Sequence, residues 1–94
     1  MLVRLVKMHF HPEFTAEFQQ LFKALQPRIS AFESCHSVQL LQDHNNPDVF
    51  FTISYWSSET QLNAYRKSEL FTKTWAQVKP NFRAKAEAWS LLGK

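Results

Sequence analysis

The sequence predicts an α+β domain, a four-stranded antiparallel sheet covered by helices on one face. Strand-like and helix-like apolar patterns follow one another in the order strand, helix, strand, strand, helices, strand. The first and third strands carry apolar residues on both faces, which indicates that both faces of the sheet are covered. With 94 residues, 45% of them hydrophobic and 15% aromatic, residues 1–94 are expected to form a single domain with a modest, aromatic-rich core.

The first strand is predicted over residues 2–10, because apolar side chains occupy both alternating sets of positions there. Pro12, which is tolerated in a first helical turn, ends this strand and opens a helix. An apolar stripe at three- and four-residue spacing then runs from Phe14 to Phe32. Pro27 falls inside that stripe, so a kink or a break in the helix is expected there.

Two further strands are predicted over residues 36–42 and 49–56, separated by turn-forming residues. Ser58 with Gln61 matches a capping box for a short helix that reaches about Arg66. Ser68 is the predicted cap of another helix, which extends to about Pro80. The last strand is predicted over residues 84–92.

This order of elements, joined by right-handed crossovers, predicts the ferredoxin-like split βαβ arrangement with strand order 4-1-3-2. The helices then cover only one face of the sheet. A monomer would expose an apolar patch of several hundred Å² on the other face. A second copy of the chain removes that exposure, so a homodimer that pairs sheet against sheet is expected.

Composition and charge narrow the classes of function. Gly93 is the only glycine, which excludes nucleotide binding through a glycine-rich phosphate loop. The net charge of +3 is spread along the chain and indicates a solvated surface more than a nucleic-acid patch. A single cysteine, Cys35, forbids an internal disulfide and suggests a reducing compartment. No apolar run approaches 18 residues, so no membrane association and a cytoplasmic location are expected.

Nearly the whole chain resembles the antibiotic biosynthesis monooxygenase-like family of small dimeric α/β-barrel proteins. The resemblance rests on the opening strand 3–7 with its following Pro-Glu and Phe-rich helix. It rests more strongly on a strand ending in Trp56, a Ser/Glu helix start at 57–59, and the Ser-x-x-Phe helix start at 68–71. The family implies a sheet-to-sheet dimer and a pocket between each sheet and its helices. Many members are cofactor-free oxygenases of quinols or polycyclic phenols, while others degrade haem or have no known activity.

The catalytic sets of two branches of the family are only partly present. The Asn, Trp and Tyr of the polyketide-oxidising branch fall on Thr52, Trp56 and Leu62, so only the Trp is retained. In the haem-degrading branch, the axial His would fall on Trp75 and the strand Asn on Val6, which makes haem degradation improbable. Because the chain also lacks a glycine-rich loop and has a single cysteine, no flavin, haem or metal is expected as a cofactor.

The resemblance implies a substrate pocket walled by Val6, Phe22, Thr52, Trp56, Tyr65 and Trp75. A cofactor-independent monooxygenase acting on a small aromatic or quinol-like molecule is the leading hypothesis, and the alternative is a non-catalytic dimeric protein that binds a small molecule. No His, Asp or Glu is placed as a base, so the catalytic residues are unknown. Core packing alone also explains aromatic residues at these spacings.

Two other interpretations have less support. His9 and His11 would share a strand face, and with His36 or His44 they could bind a metal, but no third ligand is fixed. An RNA-recognition module shares this order of elements. Its third strand, however, starts with a Lys/Arg-Gly-aromatic motif, whereas residues 47–49 here are Pro-Asp-Val, so no nucleic-acid partner is expected.

Overall fold

The computed structural model describes all 94 residues and confirms the predicted α+β class. Four strands and three helices follow in the predicted order, with short 3₁₀ turns at Pro12–Phe14 and Lys79–Asn81. The elements are β1 (Leu2–Phe10), α1 (Thr15–Ser30), β2 (Cys35–Gln42), β3 (Val49–Trp56), α2 (Glu59–Arg66), α3 (Glu69–Val78) and β4 (Phe82–Leu92). The bounds predicted for β1 and β3 are confirmed, and β4 begins two residues earlier than predicted.

The four strands form one antiparallel sheet in the order β2-β3-β1-β4, which confirms the ferredoxin-like topology. Val6 of β1 lies opposite Thr52 of β3 on one side and Ala88 of β4 on the other. The register with β4 shifts between Lys7 and His9 and again between His9 and Phe10. Such irregularities bend a strand and increase its local twist.

The helices cover one face of the sheet, and the core between the two layers is built around Phe10. Phe10 is fully buried. Its ring centroid lies 4.5–6.0 Å from those of Phe14, Phe18, Phe50 and Phe82. Aromatic rings at such distances contribute beyond the area that they bury. The main core therefore joins three strands to the start of α1.

Of the kink or break predicted at Pro27, the break is absent, because α1 continues through this residue to Ser30. Pro27 lies in the last turn, where its ring removes one backbone donor and so leaves one further carbonyl, that of Lys23, without an intrahelical partner. Leu25 and Ile29 are buried on either side of it. The Gln26 side-chain amide also donates a hydrogen bond of 2.8 Å to the carbonyl of Val38. Packing onto β2 thus keeps the helix continuous.

Two serines begin α2 and α3, as predicted. The Ser58 hydroxyl accepts a hydrogen bond from the backbone N–H of Gln61 at 3.3 Å, and the Ser68 hydroxyl accepts from Phe71 at 3.2 Å. These contacts satisfy backbone donors that the first turn of a helix leaves free. The cap at Ser68, two residues after the end of α2, begins a new helix, so residues 59–78 form two short helices over the inner face of the sheet.

The other face of the sheet carries an apolar surface that no helix covers, here called the outer sheet face. Strand register places its residues side by side: Val3, Leu5, Leu41, Phe51, Ile53, Tyr55, Trp89 and Leu91. Leu41, Trp89 and Leu91 are 42%, 39% and 46% exposed, high values for large apolar side chains. Separately, none of the helices has both the length and the apolar character needed to cross a membrane.

Candidate active site

A cavity of about 280 Å³ lies between the inner face of the sheet and the helices. Most of its walls are apolar, with Phe22, Leu25 and Ile29 of α1 on one side. Its volume is near the lower end of the range for ligand pockets, roughly 300–1,000 Å³. The cavity is therefore of a size for a small ligand.

The structure brings together five of the six residues predicted to form a pocket. The residues that line the cavity from this set are Val6, Phe22, Thr52, Tyr65 and Trp75. Each comes from a different element: β1, α1, β3, α2 and α3 in turn. The fold thus brings together residues that are distant in the sequence. Val6 and Trp75, for example, are 69 positions apart and line the same cavity.

The sixth residue, Trp56, does not line the cavity. It is fully buried, and its indole stacks on the ring of Tyr65 with centroids 5.0 Å apart and planes 26° from parallel. The indole Nε1–H donates a hydrogen bond of 2.9 Å to the Ser54 hydroxyl. Strand alternation places Trp56 on the inner face, but its position at the end of β3 packs it with Leu2 and Leu62 instead. Trp56 supports the cavity from behind Tyr65.

One wall of the cavity is a continuous row of aromatic rings. Tyr65 meets Phe71 edge to face at 5.3 Å, and Phe71 stacks on Trp75 at 5.8 Å with planes only 8° apart. Trp75 in turn meets Phe82, which lies outside the cavity lining, edge to face at 5.4 Å. Aromatic faces and edges of this kind favour contact with a flat apolar ligand.

The polar groups of the cavity are hydroxyls and guanidiniums. Thr52, Ser54, Tyr65 and Thr74 contribute hydroxyl groups, and Arg4 and Arg66 contribute guanidiniums. The lining contains no His, Asp or Glu. The cavity can thus donate hydrogen bonds and stabilise negative charge, but it holds no side chain that serves as a general base near neutral pH.

Arg4 and Arg66 were not recognised as cavity residues from the sequence, although a signal was present. Arg4 alternates with Val6 and Met8 on the inner face of β1, where an unpaired charge is unusual. The Arg4 Nη1 group donates a hydrogen bond of 3.0 Å to the Ser90 hydroxyl. Burial lowers the pKa of Arg4, and the nearby positive charge of Arg66 lowers it further.

Among the residues that line the cavity, Tyr65 has the largest shift in pKa. Burial raises the pKa of Tyr65 to about 12, and the proximity of Cys35 adds to the effect. The phenol therefore stays protonated across the physiological range, where it can donate a hydrogen bond but does not serve as a base.

Raising the pH should weaken the fold through Tyr65. In the unfolded chain a tyrosine ionises near pH 10, whereas in the folded protein Tyr65 ionises near 12. The contribution of Tyr65 to stability is complete below pH 10 and is lost as pH rises towards 12, because the unfolded state releases its proton first. Absorbance titration of tyrosinate should show a late step that Tyr65→Phe removes. A late step that persists in the variant would contradict the assignment.

Cys35 and His36 do not form a reactive pair. Burial raises the pKa of the Cys35 thiol, whose Sγ lies 3.7 Å from the carbonyl oxygen of Ser37. His36 Nε2 lies 2.9 Å from the Ser57 hydroxyl instead. A protonated thiol is a weak nucleophile. Nor does the chain contain a group of three His, Cys, Asp or Glu side chains that could hold a metal ion, so the four histidines are not brought together into a site.

Comparisons with known proteins agree on the fold. No curated protein matches the sequence significantly. Among solved structures, an antibiotic biosynthesis monooxygenase superposes with a TM-score of 0.93 at 19% identity, covering 100% of this chain and 99% of the other. A conserved protein from Methanosarcina mazei Go1 superposes with a TM-score of 0.91 at 23% identity, covering 100% and 94%. A protein from Mycobacterium tuberculosis gives a TM-score of 0.90 at 16% identity, covering 99% and 94%.

A comparison of the sequence with models of protein families identifies the family of this chain. Residues 1–77 match the sequence model of the family described as antibiotic biosynthesis monooxygenase. The matched segment includes β1, β2, β3, α1 and α2, and all of α3 except its last residue, Val78. This chain belongs to the antibiotic biosynthesis monooxygenase family.

Proposed function

We propose that the protein is a cofactor-independent monooxygenase of a small aromatic or quinol-like substrate that binds in the cavity between sheet and helices. The observation that carries this proposal is the aromatic-walled cavity of about 280 Å³ in a chain of a monooxygenase family. A flat ring in the cavity can pack against Phe71, Trp75 and Tyr65, and the hydroxyl group of Thr52 can form a hydrogen bond with it.

Such a substrate supplies the electrons for its own oxidation. A deprotonated phenol passes one electron to dioxygen, and the resulting pair recombines to form a carbon–oxygen bond. The oxygen–oxygen bond then breaks, one oxygen atom remains as a quinone carbonyl, and the other leaves as water with two substrate hydrogens. No external reductant is needed. The protein has to bind, orient and desolvate the substrate, which the apolar walls of the cavity favour.

Oxygen uptake tests the proposal. Wild-type protein should consume oxygen above the buffer rate with at least one member of a panel of reduced quinones and naphthols. Trp75→Ala should lower this rate at least about tenfold, because a misplaced substrate loses much of the benefit of orientation. Thr72→Ala, an exposed position on the same helix, is the matched control and should keep the wild-type rate. No uptake with any member of the panel would remove the oxygenase proposal for those compounds.

A non-catalytic binding protein is the second candidate, and the composition of the cavity favours it specifically. The lining contains no His, Asp or Glu, and the phenol of Tyr65 stays protonated at neutral pH. Saturable binding of an aromatic ligand, without oxygen uptake and without change to the ligand, would identify this second function. Both candidates use the same cavity.

We also propose that the protein works as a homodimer through the outer sheet face. Three large side chains there, Leu41, Trp89 and Leu91, are about 40% exposed or more in the single chain. The surface is continuous across all four strands, as the register of the sheet shows. Stacked sheets pack about 10 Å apart and bury such side chains against one another. The cavity lies on the opposite face, so a sheet-to-sheet dimer leaves it accessible.

A further inference from the structure

Two arginines line the cavity at its solvent-exposed side. The Arg4 side chain, on the central strand β1, is partly buried, and Arg66, at the end of α2, is exposed. Arg66 is close enough for its charge to lower the pKa of Arg4. The two arginines therefore line the same cavity, with their charges close enough to interact, and Arg66 is exposed to solvent.

Neither guanidinium has a carboxylate partner. The salt bridge of the chain joins Lys73 to Glu69, on the exposed side of α3. Arg4 uses one of its five N–H donors on the neutral Ser90 hydroxyl. The two like charges repel each other, and the partly buried Arg4 also loses part of its hydration. An anion placed between them would relieve both costs.

We propose that Arg4 and Arg66 form an anion subsite, and that the ligand of the cavity is an aromatic molecule with a negatively charged oxygen. The aromatic body lies against the row of rings from Tyr65 to Trp75, and the charged oxygen, a carboxylate or a phenolate, accepts hydrogen bonds from the guanidiniums. The inference rests on the proposed function in that both place the ligand in this cavity.

The anion subsite would also make a general base in the cavity unnecessary. Guanidiniums remain protonated at physiological pH and favour the ionised form of an acid beside them. A phenol bound next to Arg4 and Arg66 would thus have a lowered pKa, and its proton would leave to solvent. The site would select the ionised substrate, and no carboxylate or histidine of the protein would have to remove the proton.

Paired ligands that differ only in charge test the inference. Calorimetry or tryptophan fluorescence should show that 2-naphthoate binds about tenfold or more tightly than its neutral isostere 2-naphthamide, at low salt, where exposed charges are least screened. The double variant Arg4→Gln, Arg66→Gln should bind both ligands equally within about twofold. Arg83→Gln removes the same charge from exposed β4, outside this cavity, and should keep the preference.

A chromogenic phenol separates the two sources of the anion. The absorbance of bound 4-nitrophenol should show a phenol pKa at least about one unit below the free value, which corresponds to a tenfold preference for the phenolate. This shift should disappear in the double variant. If only naphthoate shows a preference, the subsite is a carboxylate site; if 4-nitrophenol also shifts, it accepts phenolates.

Three results would overturn the inference. Equal binding of naphthoate and naphthamide by wild-type protein, with no shift for 4-nitrophenol, would remove the anion subsite while leaving the cavity as a ligand site. A preference that survives in the double variant would place the anion elsewhere. Failure of both naphthalene ligands and of 4-nitrophenol to bind would reject this ligand class, whereas oxygen uptake with neutral quinols would still decide the proposed function. Arg66→Gln alone, at an exposed position, provides the comparison if Arg4→Gln prevents folding.

Discussion

Replacing Trp56 with alanine should lower the free energy of unfolding by about 3–5 kcal/mol, the usual loss for a large aromatic residue removed from a core. Trp56 is fully buried, stacks on Tyr65 and packs with Leu2 and Leu62. Its removal also leaves the buried Ser54 hydroxyl without the indole donor. For a domain of this size, the loss corresponds to a fall in melting temperature of about 12 °C or more.

Chemical denaturation at one fixed protein concentration measures this loss, since association would otherwise shift the midpoint. Trp56→Phe is the informative control, because it keeps an aromatic ring beside Tyr65 and removes the N–H that reaches Ser54. It should cost less than Trp56→Ala. A loss below about 1 kcal/mol for Trp56→Ala would contradict the packing described at the end of β3.

Introducing a charge in the middle of the outer sheet face should separate the proposed dimer. Wild-type protein is expected to scatter light as a particle of twice the 11.1 kDa chain mass at micromolar concentration. Ile53→Lys should reduce the particle to one chain, because an obligate sheet interface cannot bury an unpaired ammonium group without a large cost. Gln20→Lys, on the exposed side of α1 across the molecule, should leave the mass unchanged.

Circular dichroism shows whether the separated chain of Ile53→Lys remains folded. If it does not, the wild-type protein gives a second measurement, since the thermal midpoint of a dimer rises with protein concentration. A wild-type mass of one chain would reject the dimer outright. A mass of two chains that persists in Ile53→Lys would move the interface away from the outer sheet face.

The parts of the fold that the sequence predicted well are those with a local physical signal. Alternating apolar residues defined β1 and β3, and the hydroxyls of Ser58 and Ser68 identified the starts of α2 and α3. The alternative of a break at Pro27 was wrong, because it relied on a local rule alone. Packing of Leu25 and Ile29 onto the sheet, which no local pattern reports, keeps α1 continuous there.

The residues of the candidate site also fall into those that the sequence could predict and those that it could not. The resemblance to the family assigned Val6, Thr52 and Trp75 to a pocket, in agreement with strand alternation and helical spacing, and the structure places them around one cavity. These patterns give the face of an element but not the depth, and therefore they did not separate Trp56 in the core from Tyr65 at the cavity wall. Arg4 and Arg66 line one cavity only because the folded chain brings the end of α2 and β1 to the same space, which no local pattern reports.

The central position of β1 has a consequence for the synthesis of the chain. Phe10 packs against aromatic rings that are far apart in the sequence. Its contact with Phe82 can form only after β4 has been synthesised. At about 5–20 residues per second, roughly 4–14 s pass between the addition of these two phenylalanines on the ribosome. Until β3 has been made, β1 lacks both of its neighbours, and until β4 has been made it still lacks one, with apolar side chains on both faces. The nascent chain is thus expected to be a substrate for chaperones until its last strand emerges.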